Sequence, residues 1–255
     1  MTQKLVIAGD SWSQGEFNHF PEDNNRVIQT HPGTHQFILE EFPDAMVRNY
    51  GMNADNNTHQ ATLLKQELPY MKPDAIIFFW TCPLREVANK LVKREIPGDA
   101  DTLKLHDLLN LISTEALSSM GLLNDLGVPI LMIGGHVDLD MDNFLNYKNL
   151  IPLIPRAKAL LPNSYGPIPP STIDYNTLEG TVLIDCIDAG LKPPPLNPEL
   201  LEQLKVLYKE NFCWEEYPRD ELLFPDVSHG SRLIHKEISN AVADWLRENL
   251  SNYKA

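Results

Sequence analysis

A chain of 255 residues with 43% hydrophobic and 22% charged side chains has the balance of a folded globular protein, which excludes a disordered tail. Its formal net charge of −14 repels polyanions, so nucleic acid and acidic membrane surfaces are poor partners. No apolar run reaches spanning length, and the three cysteines, Cys82, Cys186 and Cys213, lack the C-x-x-C spacing of a zinc site and suit a reducing compartment.

The first element is the apolar run KLVIAG (4–9), too short for a signal-peptide core, so a protein that is cytoplasmic, or made in a cytoplasm and used elsewhere, is expected. Further runs follow at AMVRNY (45–50), DAIIFFW (74–80), VPILMIGG (128–135) and TVLIDCI (181–187). Several are apolar throughout, as strands covered on both faces are. Helical stretches lie between them at 33–42, 56–68 and 101–126, and a last one at 230–250 repeats its apolar positions at Leu233, Ile234, Ile238, Val242 and Leu246. Strand and helix in alternation predict a three-layer α/β fold, a flavodoxin-like, doubly wound, mostly parallel sheet of five strands. The proline-rich stretch 141–180 keeps no single period and reads as an insertion or lid within one domain spanning 1–255.

Ligands of such sheets bind outside the carboxyl ends of the strands. The residues expected there are Asp10 and Ser11, Gly51 to Asn53, Thr81 to Arg85, and His136 with Asp138. Ser11 ends a strand and opens a helix, where a serine can serve only as a cap. A nucleophile needs a base, a group that orients the base, and donors for the oxyanion. The stretch FPDVSHGS offers the first two: Asp226 and His229 stand three apart before the last helix, on one side of a turn.

Together these blocks resemble those of the SGNH hydrolases, the GDSL esterases and lipases. The family's Gly-Asp-Ser block is similar to AGDSWSQG, its Asp-x-x-His block to Asp226 and His229, and its second block to RNYGMNADN with Gly51. The resemblance implies a triad of Ser11, His229 and Asp226, with oxyanion donors from the Ser11 and Gly51 backbone. It also implies acetyl or short-chain acyl esters, carbohydrate esters among them, as substrates, and no cofactor or metal. One block departs. Where the family carries Gly-x-Asn-Asp, this chain has FFWTCPLREV, leaving Thr81 and Arg85 as the available third donors. Loss of one such donor costs about 2.7–4 kcal/mol of transition-state stabilisation. Asp10, Trp12, Asn53 and His136 are the further residues expected near substrate.

Nucleotide-binding glycine motifs and the G-x-S-x-G elbow are absent. His31 and His35 stand four apart, but Pro32 and Gly33 make that segment a helix start without a third ligand. The carboxylates after His136 lack the glycine and distal glutamate of a calcium loop. Two other functions stay open on sequence: a ligand- or glycan-binding module with decayed catalysis, and an acyltransferase.

Overall fold

The four apolar runs before residue 136 become parallel strands in a computed structural model that describes residues 3–20, 26–53, 55–81, 83, 85–87, 90, 105–135, 139, 141–155, 230 and 232–253. In chain order the elements are β1 (Lys4–Gly9), α1 (Ser11–Gln14), β2 (Glu16–Phe20), β3 (Arg26–His31), α2 (Thr34–Glu41), β4 (Met46–Asn49) and α3 (Asn57–Met71). They continue with β5 (Ala75–Trp80), α4 (Leu105–Asn124), β6 (Ile130–Gly134), α5 (Met141–Phe144), β7 (Leu150–Ile154) and α6 (Arg232–Asn249), closed by a 3-10 turn at Ser251–Tyr253.

The described residues fall into two units. The first contains Met1–Thr81, Ser119–Ser164 and Asp220–Ala255, and within it lies a five-stranded sheet of order β4-β1-β5-β6-β7. Every neighbouring pair is parallel, with Leu5 opposite Val47 and Ala75, and Ile77 opposite Ile7 and Leu131. The expected flavodoxin-like order is therefore present. The chain leaves β1 toward β4 on one side and returns to β5 on the other, so the carboxyl end of β1 is the switch point of the sheet.

Both faces of the central strands are buried, which is why their sequences do not alternate. Leu5, Ile7, Ile77, Phe79, Leu131 and Ile133 share a core cluster with Ile38 of α2 and with Ile234, Ile238, Val242 and Leu246 of α6. Val6, Ile76, Phe78 and Met132, the intervening residues, are as fully buried on the opposite face. There α3 and the end of α4 supply buried Ala61, Leu64, Met120 and Leu123, and the Thr58 and Ser119 hydroxyls share a hydrogen bond of 2.8 Å. Each aliphatic or aromatic side chain buried this way contributes about 1.5–3 kcal/mol.

Two elements differ from expectation. The fifth strand is Leu150–Ile154, inside the stretch expected to be an insertion, while the 181–187 run lies outside the described residues. Pro152 within LIPLI hides the strand from a periodicity reading, yet among the described residues β7 ends the sheet with one neighbour, a position where a proline is tolerated. The antiparallel hairpin β2–β3, with a bulge between Glu16 and Phe17, carries no clear alternation in sequence and was not anticipated.

The described residues of the second unit lie within Cys82–Ser118. In it Lys90 pairs with Glu115 at 2.6 Å, 4.0 Å from Glu86, and Val87 and Ile112 are buried. Among the described residues no helix is long and apolar enough to cross a membrane.

Candidate active site

Gly9 ends β1 at φ +132°, a conformation that disfavours any residue with a Cβ, and a Cβ here would overlap the Phe79 carbonyl oxygen of β5. The close approach lets the chain turn sharply out of the sheet at the switch point. Asp10 then caps the short helix α1: its Oδ1 accepts from the Trp12 N–H at 3.0 Å, and its carbonyl accepts from the Ser13 N–H at 3.0 Å and the Ser13 hydroxyl at 2.6 Å. Asp10 is therefore the cap and Ser11 the first residue of the helix it caps. Ser11 is buried, with 5% of its surface exposed.

On one side of β1, Gly51 is held against this helix. Asn49 bridges the two, its Nδ2 donating to the Ser13 carbonyl at 2.7 Å while its Oδ1 accepts from the Gly51 N–H at 2.8 Å. Gln14 Nε2 donates to the Gly51 carbonyl at 3.1 Å, and a Cβ at Gly51 would overlap the Ser13 hydroxyl. Asn53 follows in an exposed turn. Buried Gln60 ties the same region together, accepting from the Gly9 N–H at 3.3 Å and donating to the Tyr50 carbonyl at 3.3 Å and to Asp55.

On the other side, Thr81 leaves β5 with its backbone paired to a side chain. Asn57 Nδ2 donates to the Thr81 carbonyl at 2.7 Å, and Asn57 Oδ1 accepts from the Thr81 N–H at 3.0 Å. Thr81 and Asn57 are both buried. Arg85 is half-buried and belongs to the second unit.

Trp12 follows Ser11 in α1. Its indole is almost wholly buried between two glycines: a Cβ on Gly135, after β6, would stand 3.2 Å from Cδ2, and one on Gly230 would stand 3.0 Å from Cζ3. Gly230 is the next residue in the chain after His229. The two stretches expected to hold nucleophile and base thus meet through their immediate neighbours, Trp12 and Gly230. Below the indole lies buried His235, whose Nδ1 is 3.0 Å from the Thr34 hydroxyl and whose ring centroid is 6.5 Å from that of Trp12 and 6.1 Å from that of Phe79.

Asp226, His229 and His136 lie outside the described residues. Among the described residues no three His, Cys, Asp or Glu side chains cluster closely enough to hold a metal ion. His31 instead accepts the Gly33 N–H on Nδ1 at 2.9 Å, and burial lowers the pKa of His35.

Sequence reasoning missed Asn49, Asn57 and Gln60, the side chains that hold the strand ends in place. It also missed Glu16 and Arg232. Glu16 is buried, and its carboxylate accepts the Arg232 N–H at 2.6 Å, Arg232 Nη2 at 2.8 Å and the Thr30 hydroxyl at 2.9 Å. Burial opposes ionisation of this carboxyl, but the Arg232 hydrogen bonds, Thr30 and the guanidinium charge outweigh it and hold its pKa at about 2.

No protein-family model and no curated protein matches the chain. Among solved structures it is similar to a lipase/acylhydrolase from Enterococcus faecalis, at 15% identity and a TM-score of 0.42, over 97% of this chain and 96% of that one. It is similar to an inhibitor-bound aryl esterase of M. smegmatis at 13% identity and a TM-score of 0.41, over 98% of this chain and 100% of that one. A family 3 carbohydrate esterase of Clostridium thermocellum is similar at 12% identity and a TM-score of 0.42, over 100% of both chains.

Proposed function

We propose that this chain is a serine ester hydrolase of the SGNH type, with Ser11 as nucleophile, His229 as general base and acid, and Asp226 as the group that orients the imidazole. The observation that carries the reading is the contact of Trp12 with Gly230, which joins the neighbour of Ser11 to the neighbour of His229 across 217 intervening positions of sequence. The placement of Gly9, Asp10 and Ser11 at the switch point of a parallel sheet supports it, because that edge is where such sheets bind ligands.

In this reading Ser11 Oγ attacks the acyl carbonyl carbon while His229 takes its proton. The tetrahedral intermediate collapses, the alcohol leaves with the proton returned by His229, and Ser11 carries the acyl group. Water then adds to the acyl-enzyme by the same proton path, releasing the acid and restoring the serine. The Ser11 and Gly51 N–H groups, with Thr81 or Arg85 in place of the family's asparagine, hold the oxyanion. The substrate is an acetyl or other short-chain ester, carbohydrate esters among them, and the proposed reaction uses no cofactor.

Labelling with a fluorophosphonate probe and turnover of p-nitrophenyl acetate test the reading beside Ser11→Ala. Wild-type protein should label and turn over while the variant does neither. Equal behaviour of the two would overturn it.

A second reading, a ligand-binding module on the same fold, draws support from one observation. The Gly51 and Thr81 N–H groups already donate to the side-chain oxygens of Asn49 and Asn57, so an oxyanion would compete with an amide oxygen for each. Absence of labelling together with saturable binding of a short-chain ester or acetylated sugar is its signature.

A further inference from the structure

We propose that Glu16 is a positioning residue for this site, a latch that holds the start of the terminal helix α6 against the chain leaving Ser11. The inference rests on the serine hydrolase reading above and goes beyond the triad. Glu16 stands five residues after Ser11, and Arg232 three residues after His229. Between them run a backbone hydrogen bond of 2.6 Å from the Arg232 N–H and guanidinium bonds of 2.8 Å from Nη2 and 3.2 Å from Nε, all onto one buried carboxylate.

Three features separate this pair from an ordinary surface ion pair. Its acceptor is buried while its donor is partly exposed, so the carboxylate is the anchored member and the helix is what it holds. The bond to the Arg232 N–H seizes the backbone itself at the first residue of α6, where the N–H groups have no partner within the helix. The bulge between Glu16 and Phe17, together with the Thr30 hydroxyl on the neighbouring strand, sets the direction of the carboxylate. The Trp12–Gly230 contact and the Glu16–Arg232 latch thus join the same two stretches at two points. Two points define both separation and angle, where one would leave a pivot. Catalysis by a serine and an imidazole is sensitive to misplacement on the order of 1 Å, which can cost about 10²-fold in rate.

The test compares wild type, Glu16→Gln and Arg232→Lys at a temperature well below all their melting points. The readout is the second-order rate constant for fluorophosphonate inactivation as a function of pH. Arg247→Ala, which breaks the ion pair of Arg247 with Glu41 at the far end of the same helix, serves as the control for a general loss of helix anchoring. Glu16→Gln should slow inactivation at least tenfold and weaken the acid-side fall in rate that reports protonation of the base. Arg232→Lys keeps the charge and the backbone bond but loses the planar fork, and should fall between the two. Arg247→Ala should lower the melting temperature and leave the rate constant unchanged. If Glu16→Gln and Arg232→Lys both inactivate within twofold of wild type with the same pH profile, Glu16 is a structural anchor only and the inference is overturned. Failure of wild-type protein to label at Ser11 would instead overturn the hydrolase reading and this inference with it.

Discussion

Asn57 and the backbone of Thr81 exchange two hydrogen bonds, so a side-chain amide on α3 completes the end of β5 as a neighbouring strand would. Both partners are buried, and without Asn57 a donor and an acceptor of the main chain would each lose a hydrogen bond away from water. Asn57→Ala should therefore lower stability by about 2–3 kcal/mol, roughly 5–10 °C in melting temperature for a chain of this size. Asn57→Asp keeps the acceptor for the Thr81 N–H but sets a carboxylate against the Thr81 carbonyl, and should be at least as destabilising at neutral pH. Urea or thermal melts of the two variants check this; a loss under about 0.5 kcal/mol in both would show that the exchange contributes little.

The parts of this fold visible in sequence are those whose physics is local. Runs such as AIIFFW announce strands covered on both faces, and the 3.6-residue period announces α6. Pro152 concealed β7, because an edge strand can hold a residue that a central strand would reject. The same division runs through the site. Ser11 stood out because a Gly-Asp-Ser turn follows an apolar strand. Asn57, Asn49 and Glu16 did not, because their partners lie 24, 36 and 216 positions away and no local pattern marks a polar side chain that will be buried against distant backbone. A buried amide and a surface amide read alike until the topology brings their partners near.

Gly230→Ala tests the contact that supports the assignment of nucleophile and base. The new methyl would stand 3.0 Å from Trp12 Cζ3 and 3.3 Å from Ile234 Cγ2, closer than carbon atoms pack. Overpacking of this kind costs about 1–3 kcal/mol, and here the displacement falls on the residue next to His229. Ester turnover should drop more than the melting temperature does. Trp12→Phe removes the indole atoms that the methyl strikes and leaves the Ile234 contact, so the double variant should recover part of the lost rate. Strict additivity of the two substitutions would argue that the alanine acts elsewhere.

Glu16 also sets an acid limit on stability. Its pKa in the folded protein is about 2 against an ordinary 4.5, so its contribution is complete above pH 4.5 and is lost as the pH falls from there toward 2. Among the described residues, Arg232 and the Thr30 hydroxyl face the carboxylate. Wild type should exceed Glu16→Gln by about 2 kcal/mol at neutral pH, the scale of hydrogen bonds to a charged group. That gap should close on acidification through this window. Denaturant melts of both proteins at several pH values measure it, and a gap that stayed constant down to pH 2 would contradict the assignment.

Thr81 is the sharpest test of the proposed third oxyanion donor. Its backbone is already held by Asn57, so a change confined to the side chain leaves the end of β5 anchored. Thr81→Val preserves shape and removes the hydroxyl, and Thr81→Ser preserves the hydroxyl and removes a methyl. If that hydroxyl donates to the oxyanion, Thr81→Val should lower kcat and kcat/KM alike by about 10²–10³, because the bond forms fully only in the transition state. Thr81→Ser should stay within about fivefold of wild type, the cost of a small packing loss. Steady-state kinetics on p-nitrophenyl acetate distinguish the outcomes. A Thr81→Val enzyme as active as wild type, beside an Arg85→Gln enzyme that is not, would move the third donor to Arg85.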